Sequence, residues 1–203
     1  MPSSGSSAAQ STRNNCYSLL HQLLDEQKDV SILRFIKPES SDLNKLMKQI
    51  AATSGTGAAL LEEFAKDDPS INLNDIRLPP GELATRDAIA SAKEKDLLGQ
   101  TGATFELTLL LTQTEALSYA SQLAKVAAGN EPHPERSHAL AGLSKDMQNL
   151  YHKVFAMLMS QTKPTPTKAV RNHLASAAGS SILMVDPGCM PAAAGKAILK
   201  STT

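Results

Sequence analysis

The strongest constraint on the fold of this chain is a run of large apolar residues near position 150. Its members recur at alternating intervals of three and four: Leu140, Leu143, Met147, Leu150, Val154 and then Met157 or Leu158. This spacing places them on one stripe of an α-helix, the pattern of a helix that packs lengthwise against other helices. A stripe of this length needs partner helices to cover it, so the pattern predicts a helical bundle.

Four further segments have helical periodicity, at residues 12–27, 41–66, 82–98 and 103–128. The second contains Gly55 and Gly57 in a stretch, residues 51–59, with nothing larger than Thr. Each glycine costs about 1 kcal/mol relative to Ala in a helix interior. A break at Gly55 is therefore one interpretation. We favour a continuous helix, with Ser41 as its N-cap, because the apolar period continues through both glycines.

Two other stretches lack a clear helical pattern. Residues 29–36 are compatible with a helical turn or a short strand, and Lys37-Pro38 ends them. Residues 67–81 contain three prolines and form a loop. We expect four apolar side chains to hold this loop against the domain: Ile71, Leu73, Ile76 and Leu78. No convincing strand pair is present, so the predicted fold is all-α, a four-helix bundle with one longer inter-helix connection and disordered termini.

The chain divides into three predicted regions. Residues 1–11 have the Ser/Gly/Ala composition of a flexible linker, and residues 12–160 form the helical domain. Residues 161–203 form a basic, Pro/Ser/Ala-rich and largely disordered tail. Counted from Ser160 onward, five basic side chains face one acidic side chain. No signal peptide is visible. The sequence as it stands indicates the cytoplasm, and the cell envelope or periplasm if a signal precedes it.

Composition argues against several classes of protein. Basic and acidic side chains number 20 each and there is no Trp, which argues against a nucleic-acid binder. No apolar run approaches the roughly 18 residues of a transmembrane helix. The two cysteines, Cys16 and Cys189, form no C-x-x-C pair, so a zinc or redox motif is absent.

A di-iron centre in a bundle needs a Glu from each of two helices and a Glu-x-x-His motif from each of the other two. Neither Glu106 nor Glu115 has a His three residues later. The one match, Glu135 with His138, lies in the first turn of the last helix, where an acidic residue favours the helix N-terminus. We therefore predict no metal, cofactor or catalytic residue. If a metal were bound, Glu106, Glu135 and His138 would be the candidate ligands.

The segment from Gly102 through Phe105 and Glu106 to Leu111, followed by residues 113–117 and the apolar last helix, resembles the helical hairpins of ferritin-like domains. These domains occur in uncharacterised bacterial proteins of unknown function, several of them in the cell envelope. The resemblance covers residues 12–160 and implies a ferritin-like bundle with metal-dependent oxidation or storage. The chain departs from that pattern because it lacks a second Glu-x-x-His and aligned carboxylates, so no catalytic residue is carried over.

Two hypotheses on function can be stated. The first is a non-enzymatic structural or interaction domain built on a degenerate ferritin-like bundle, with a protein partner or a second copy contacting its helix faces. The alternative is a metal-dependent, di-iron-like or small-ligand-binding bundle. An interior cavity lined by Leu and Met beside residues 51–59 would favour a ligand carrier.

Overall fold

The computed structural model describes residues 4–30 and 40–161. Five α-helices make up 87% of these residues, and no strand occurs among them. They are α1 (Ser4–Lys28), α2 (Ser41–Asp67), α3 (Pro80–Gly99), α4 (Gly102–Asn130) and α5 (Pro134–Gln161). The predicted all-α class is confirmed. No helix in the described ranges combines the length and the apolar character needed to cross a bilayer.

Helices α4 and α5 form the most extensive pair and run antiparallel. Near the start of α4, Glu106 accepts a hydrogen bond from Gln161 at the end of α5 (3.2 Å). Further along, the Ser144 hydroxyl donates to the carbonyl of Ser121 (2.8 Å). This antiparallel pair is one wall of the domain.

Helices α1 and α2 form the opposite wall, and they too are antiparallel. His21 of α1 lies 3.3 Å from Glu62 of α2, and Lys28 lies beside Gly55. The walls meet where α1 packs on α4 and where α2 packs on α5, so these four helices contact one another in a ring. The main contact of α3 is with α4, on the outside of the ring.

The core lies inside this ring. The apolar side chains of the α5 stripe are buried from Leu140 to Leu158, except for Met157, which is half-buried, and this confirms the pattern that predicted the helix. The largest fully buried side chains of the other ring helices are Tyr17, Leu20, Leu24, Leu43, Met47, Ile50, Leu61, Phe105, Leu109, Leu110 and Leu117. Helix α3 contributes no buried residue.

Helix α2 is continuous through both glycines, as its periodicity predicted, and its N-cap is Ser40 rather than Ser41. A Cβ atom at Gly57 would lie 2.9 Å from Leu143 Cδ1 and 3.0 Å from Leu24 Cδ1. The missing side chain therefore lets methyl groups of α1 and α5 reach the α2 backbone. The cost of glycine in the helix is offset by this close packing.

Helix α1 begins at Ser4, eight residues before the predicted start, so it includes most of the expected linker. Ala8, Ala9 and Gln10 are good helix formers, and a helix already nucleated by the core-facing residues of α1 extends through them at little cost. The predicted piece at residues 29–36 lies largely outside the described residues.

The loop between α2 and α3 is held against the domain, as predicted. Ile71 is buried, and Leu73, Ile76 and Leu78 pack half-buried against the core. The described residues all belong to one compact unit. The predicted tail lies outside them, apart from Gln161.

Candidate functional site

The main polar cluster of the described residues surrounds the carboxylate of Glu131, directly after α4. This side chain has no exposed surface. It accepts hydrogen bonds from the Tyr17 hydroxyl (2.7 Å), the His133 backbone amide (3.1 Å) and the Arg136 guanidinium (3.0 and 3.1 Å). The carboxylate thus joins α1, the α4–α5 connection and α5 at one end of the ring.

Asp68, just after α2, extends the cluster. It accepts from Arg136 (3.0 Å) and from the backbone amide and hydroxyl of Ser70 (3.0 and 2.6 Å). Arg13 of α1 donates to the Ser70 hydroxyl (2.9 Å) and lies 3.8 Å from Asp68 and 3.9 Å from Glu131. Two guanidinium groups therefore face two carboxylates, and the formal charges balance.

The pKa values follow from these contacts. Burial acts to raise the pKa of Glu131, but hydrogen bonds from Tyr17, the His133 amide and Arg136 outweigh it, so the pKa is lowered. Hydrogen bonds from Ser70, with Arg136, lower the pKa of Asp68. Burial, and then the bond to Glu131, raise the pKa of the Tyr17 hydroxyl. The carboxylates are charged and the phenol is neutral near pH 7, which suits a structural clamp.

The structure does not bring the three candidate metal ligands together. Glu106 is half-buried where α4 begins and α5 ends, and its carboxylate also accepts from the Ser40 backbone amide. Glu135 and His138 are exposed at the start of α5. With a rise of 1.5 Å per residue, the helix from Glu135 to Gln161 is about 39 Å long. Glu106 therefore cannot share an ion with the other two.

Across residues 4–30 and 40–161, no three His, Cys, Asp or Glu side chains are grouped so that they could hold a metal ion. Glu115 pairs with Lys93 of α3. Cys16 is buried as a free thiol, and burial raises its pKa, which lowers its reactivity. Cys189 lies outside the described residues.

The small residues of α2 line a concave surface of about 400 Å³ between α2 and α5 that is open to solvent. Its lining is Ala52, Thr53, Thr56, Gly57, Leu60, Ala139, Gly142, Leu143 and Asp146. On the inner side of Gly57, Leu24 and Leu143 fill the space. The feature is therefore an open groove without Met, unlike the interior cavity that would favour a ligand carrier.

A larger groove, of about 620 Å³, lies between α3, α4 and the last turns of α1. We call it the α3 groove. Its walls are mainly apolar, and its lining includes Leu23, Glu26, Gln27, Ile89, Ala116 and Tyr119. Arg86 of α3 reaches Tyr119 of α4 with a hydrogen bond to the hydroxyl (2.7 Å), and its guanidinium carbon lies 5.0 Å from the ring centre.

Sequence reasoning did not find either the Glu131 cluster or the α3 groove. The cluster joins residues from three separate stretches of the chain, 13–17, 68–70 and 131–136, and no local spacing indicates that they meet. Its one sequence signal is Glu131, which lies between the end of a helix and a Pro-His-Pro turn. Acidic residues are common at such positions because they interact favourably with the N-terminus of the next helix. The α3 groove depends on how α3 is rotated against α4, which periodicity does not determine.

The fold and these sites define an all-α domain with a mainly apolar interior. The Glu131 cluster, whose formal charges balance, lies at one end of the domain, and the apolar α3 groove lies at its side. Comparisons with family models, curated proteins and solved structures found no match to this chain. A proposal on function therefore depends on the sites themselves.

Proposed function

We propose that this protein is a non-enzymatic interaction domain built on a degenerate ferritin-like four-helix bundle, with the α3 groove as its interaction surface. The bundle consists of α1, α2, α4 and α5. Helix α3 belongs to the long connection between the second and third bundle helices. The alternative of a metal-dependent or ligand-carrying bundle has less support from the described residues.

The direction of the helices supports the ferritin-like part of the proposal. Asp68 at the end of α2 contacts Arg136 at the start of α5, whereas Glu106 near the start of α4 contacts Ser40 at the opposite end. The connection at residues 68–101 must therefore return along the bundle. One crossover of this kind between two antiparallel hairpins characterises ferritin-like folds.

The non-enzymatic part of the proposal is carried by one observation: the buried carboxylate is already hydrogen-bonded to other groups of the protein. Glu131 is the one buried carboxylate among the described residues, and it accepts hydrogen bonds from Tyr17, Arg136 and the His133 amide. The ring interior is otherwise mainly apolar, where a di-iron bundle places inward-facing carboxylates and histidines. An enzyme needs polar groups that converge on an open position, and this interior offers none among the described residues.

The α3 groove supports an interaction role. Large exposed apolar patches rimmed by polar side chains are typical of binding surfaces. Ile89 lines the groove and is 49% exposed, and Arg86, Lys93 and Glu26 surround it. An amphipathic helix is the partner that such an apolar groove between helices fits best.

Elemental analysis tests the proposal against its alternative. The protein is produced in medium supplemented with iron, manganese and zinc, dialysed, and analysed beside its Glu106→Ala variant. We expect far less than one metal ion per chain in both. About one or more ions per chain in the wild type, lost in the variant, would contradict the proposal and support a metal-dependent bundle.

A further inference from the structure

We propose that α3 is a displaceable helix, and that the face of α1 and α4 beneath it accepts an amphipathic helix whose inward side is basic and apolar. This inference deepens the proposed function and rests on it for the existence of a partner. The opening of α3 can be measured without any partner. The displacement of α3 and the proposed interaction role can therefore fail separately.

The first argument is the shallow packing of α3. None of its 20 residues is buried, whereas α4 buries ten. Leu83, Ile89 and Leu98 are 41%, 49% and 53% exposed. Segments with few buried apolar contacts open at a small fraction of the free energy of global unfolding. Displacement of α3 from the outside of the ring therefore removes much less buried apolar contact than displacement of any of the four ring helices.

The second argument is the nature of the contacts between α3 and α4. Lys93 pairs with Glu115, but the two side chains are 37% and 66% exposed. Arg86 bonds to Tyr119 while it also pairs with Glu82 of its own helix. Exposed ion pairs add little stability and weaken as salt increases. The attachment of α3 should therefore be weak and sensitive to salt.

The third argument is that the chain is anchored just before α3. Ser18 of α1 donates to the carbonyl of Asn72 (2.7 Å), and the Arg77 amide donates to Asn15 (3.0 Å). After α3, Gly102 has a positive φ of 60°, a conformation that glycine adopts without strain. These features leave residues 79–101 as a unit that can move while the ring keeps its contacts.

The chemistry of the uncovered face defines the occupant. The groove lining from α1 and α4 carries two carboxylates, Glu26 and Glu115, and no basic side chain. It also carries a buried acceptor, Oε1 of Gln27, which has no hydrogen-bond partner. Helix α3 lines this face with two basic side chains, Arg86 and Lys93, seven residues apart, and with one acidic side chain, Glu94. A competing helix with the same basic spacing and apolar neighbours would match it in charge and shape.

Native-state hydrogen exchange on the full chain tests the displacement. We expect amides in α3 to exchange on the order of a hundredfold faster than those of α4 and α5, and faster still in 1 M NaCl. Lys93→Glu should speed α3 exchange by about two- to fivefold, and the double variant Lys93→Glu, Glu115→Lys should restore it. Protection of α3 equal to that of α4 would overturn the proposal.

A labelled synthetic peptide of residues 80–99 tests the acceptor face. Helix α3 is loosened in both the Lys93→Glu and the Glu115→Lys chains, but only the first keeps the acidic acceptor. We expect the wild-type peptide to bind the Lys93→Glu chain several-fold more tightly than the Glu115→Lys chain. A peptide carrying Lys93→Glu should reverse that preference. Equal binding to both chains, or no binding to either, would overturn the acceptor face.

Discussion

Tyr17 and Glu131 are 114 positions apart in the sequence, yet the hydroxyl of Tyr17 donates to the carboxylate of Glu131 over 2.7 Å. Both side chains are fully buried. This contact ties α1 to the connection between α4 and α5. Arg136 then links the same carboxylate to Asp68 at the end of α2, so one cluster fixes one end of all four ring helices.

Removal of this carboxylate should destabilise the domain strongly. Glu131→Ala leaves two guanidinium groups with one carboxylate between them, and breaking a buried charge pair costs about 3–5 kcal/mol. The matched control is Glu135→Ala, four residues later and exposed, which should cost no more than about 1 kcal/mol of unfolding free energy, the contribution of an acidic residue in the first turn of a helix. Urea denaturation measures both. Equal costs would show that the cluster does not hold the fold.

The Tyr17 hydroxyl should make the domain lose stability at alkaline pH. Its pKa in the folded state is raised above the ordinary value of 10.0, by burial first and then by Glu131. The unfolded chain therefore releases this proton first as the pH rises above 10, which favours unfolding by about 1.4 kcal/mol per pH unit. Below pH 10 the full contribution is present. Tyr17→Phe has no hydroxyl proton at position 17. The Cys16 thiol is present in both proteins, so its contribution cancels in the comparison.

The unfolding free energies of wild type and Tyr17→Phe should therefore differ by a constant amount below pH 10 and approach each other between pH 10 and pH 11. Urea denaturation at each pH provides the comparison. Parallel curves across this range would contradict the raised pKa of Tyr17.

Two glycines of the same helix should respond in opposite ways to Ala. At Gly55 the nearest atom to a new Cβ is 3.9 Å away, so Gly55→Ala should gain up to about 1 kcal/mol from helix propensity. At Gly57 the new methyl would meet Leu143 and Leu24 at 2.9 and 3.0 Å. Overpacking of this kind costs about 1–3 kcal/mol, which exceeds the gain. Thermal denaturation compares them, and stabilisation by both would refute the close packing at Gly57.

Gln113 in the ring interior should be replaceable by an apolar residue. It is 2% exposed, and its Oε1 atom has no hydrogen-bond partner. Gln113→Met keeps the length of the side chain and removes the unpaired acceptor, so we expect a gain of about 1 kcal/mol in unfolding free energy. A loss of more than about 1 kcal/mol would instead indicate a polar function for this position.

The sequence predicted those parts of the fold that depend on local periodicity. The α5 stripe from Leu140 to Leu158 and the continuity of α2 through Gly55 and Gly57 are examples, because a side chain every three or four residues determines both. The early start of α1 was missed because Ser and Ala are common in linkers and helices alike. Whether such a segment becomes helical depends on the stability of the helix that it extends.

The sites could not be predicted in the same way. The partners of Glu131 come from segments up to 118 residues away, as with Arg13, and such pairings depend on the completed fold. Helix α3 carries the large apolar residues Leu83 and Ile89, yet it lies outside the ring and leaves both exposed. Periodicity shows that a helix has an apolar side, but tertiary packing decides whether that side is covered.

Site-specific photo-crosslinking in the cells that make the protein tests its interaction role most directly. A photoreactive phenylalanine analogue is placed at Ala116 of α4, which lines the face beneath α3, or at Val126, an exposed position of the same helix outside the groove. We predict a discrete protein adduct from position 116 and little or none from position 126. We also predict that the crosslinked peptide of the partner is a basic amphipathic segment. Identical adducts from both positions, or none from position 116, would contradict an interaction domain that works through this groove.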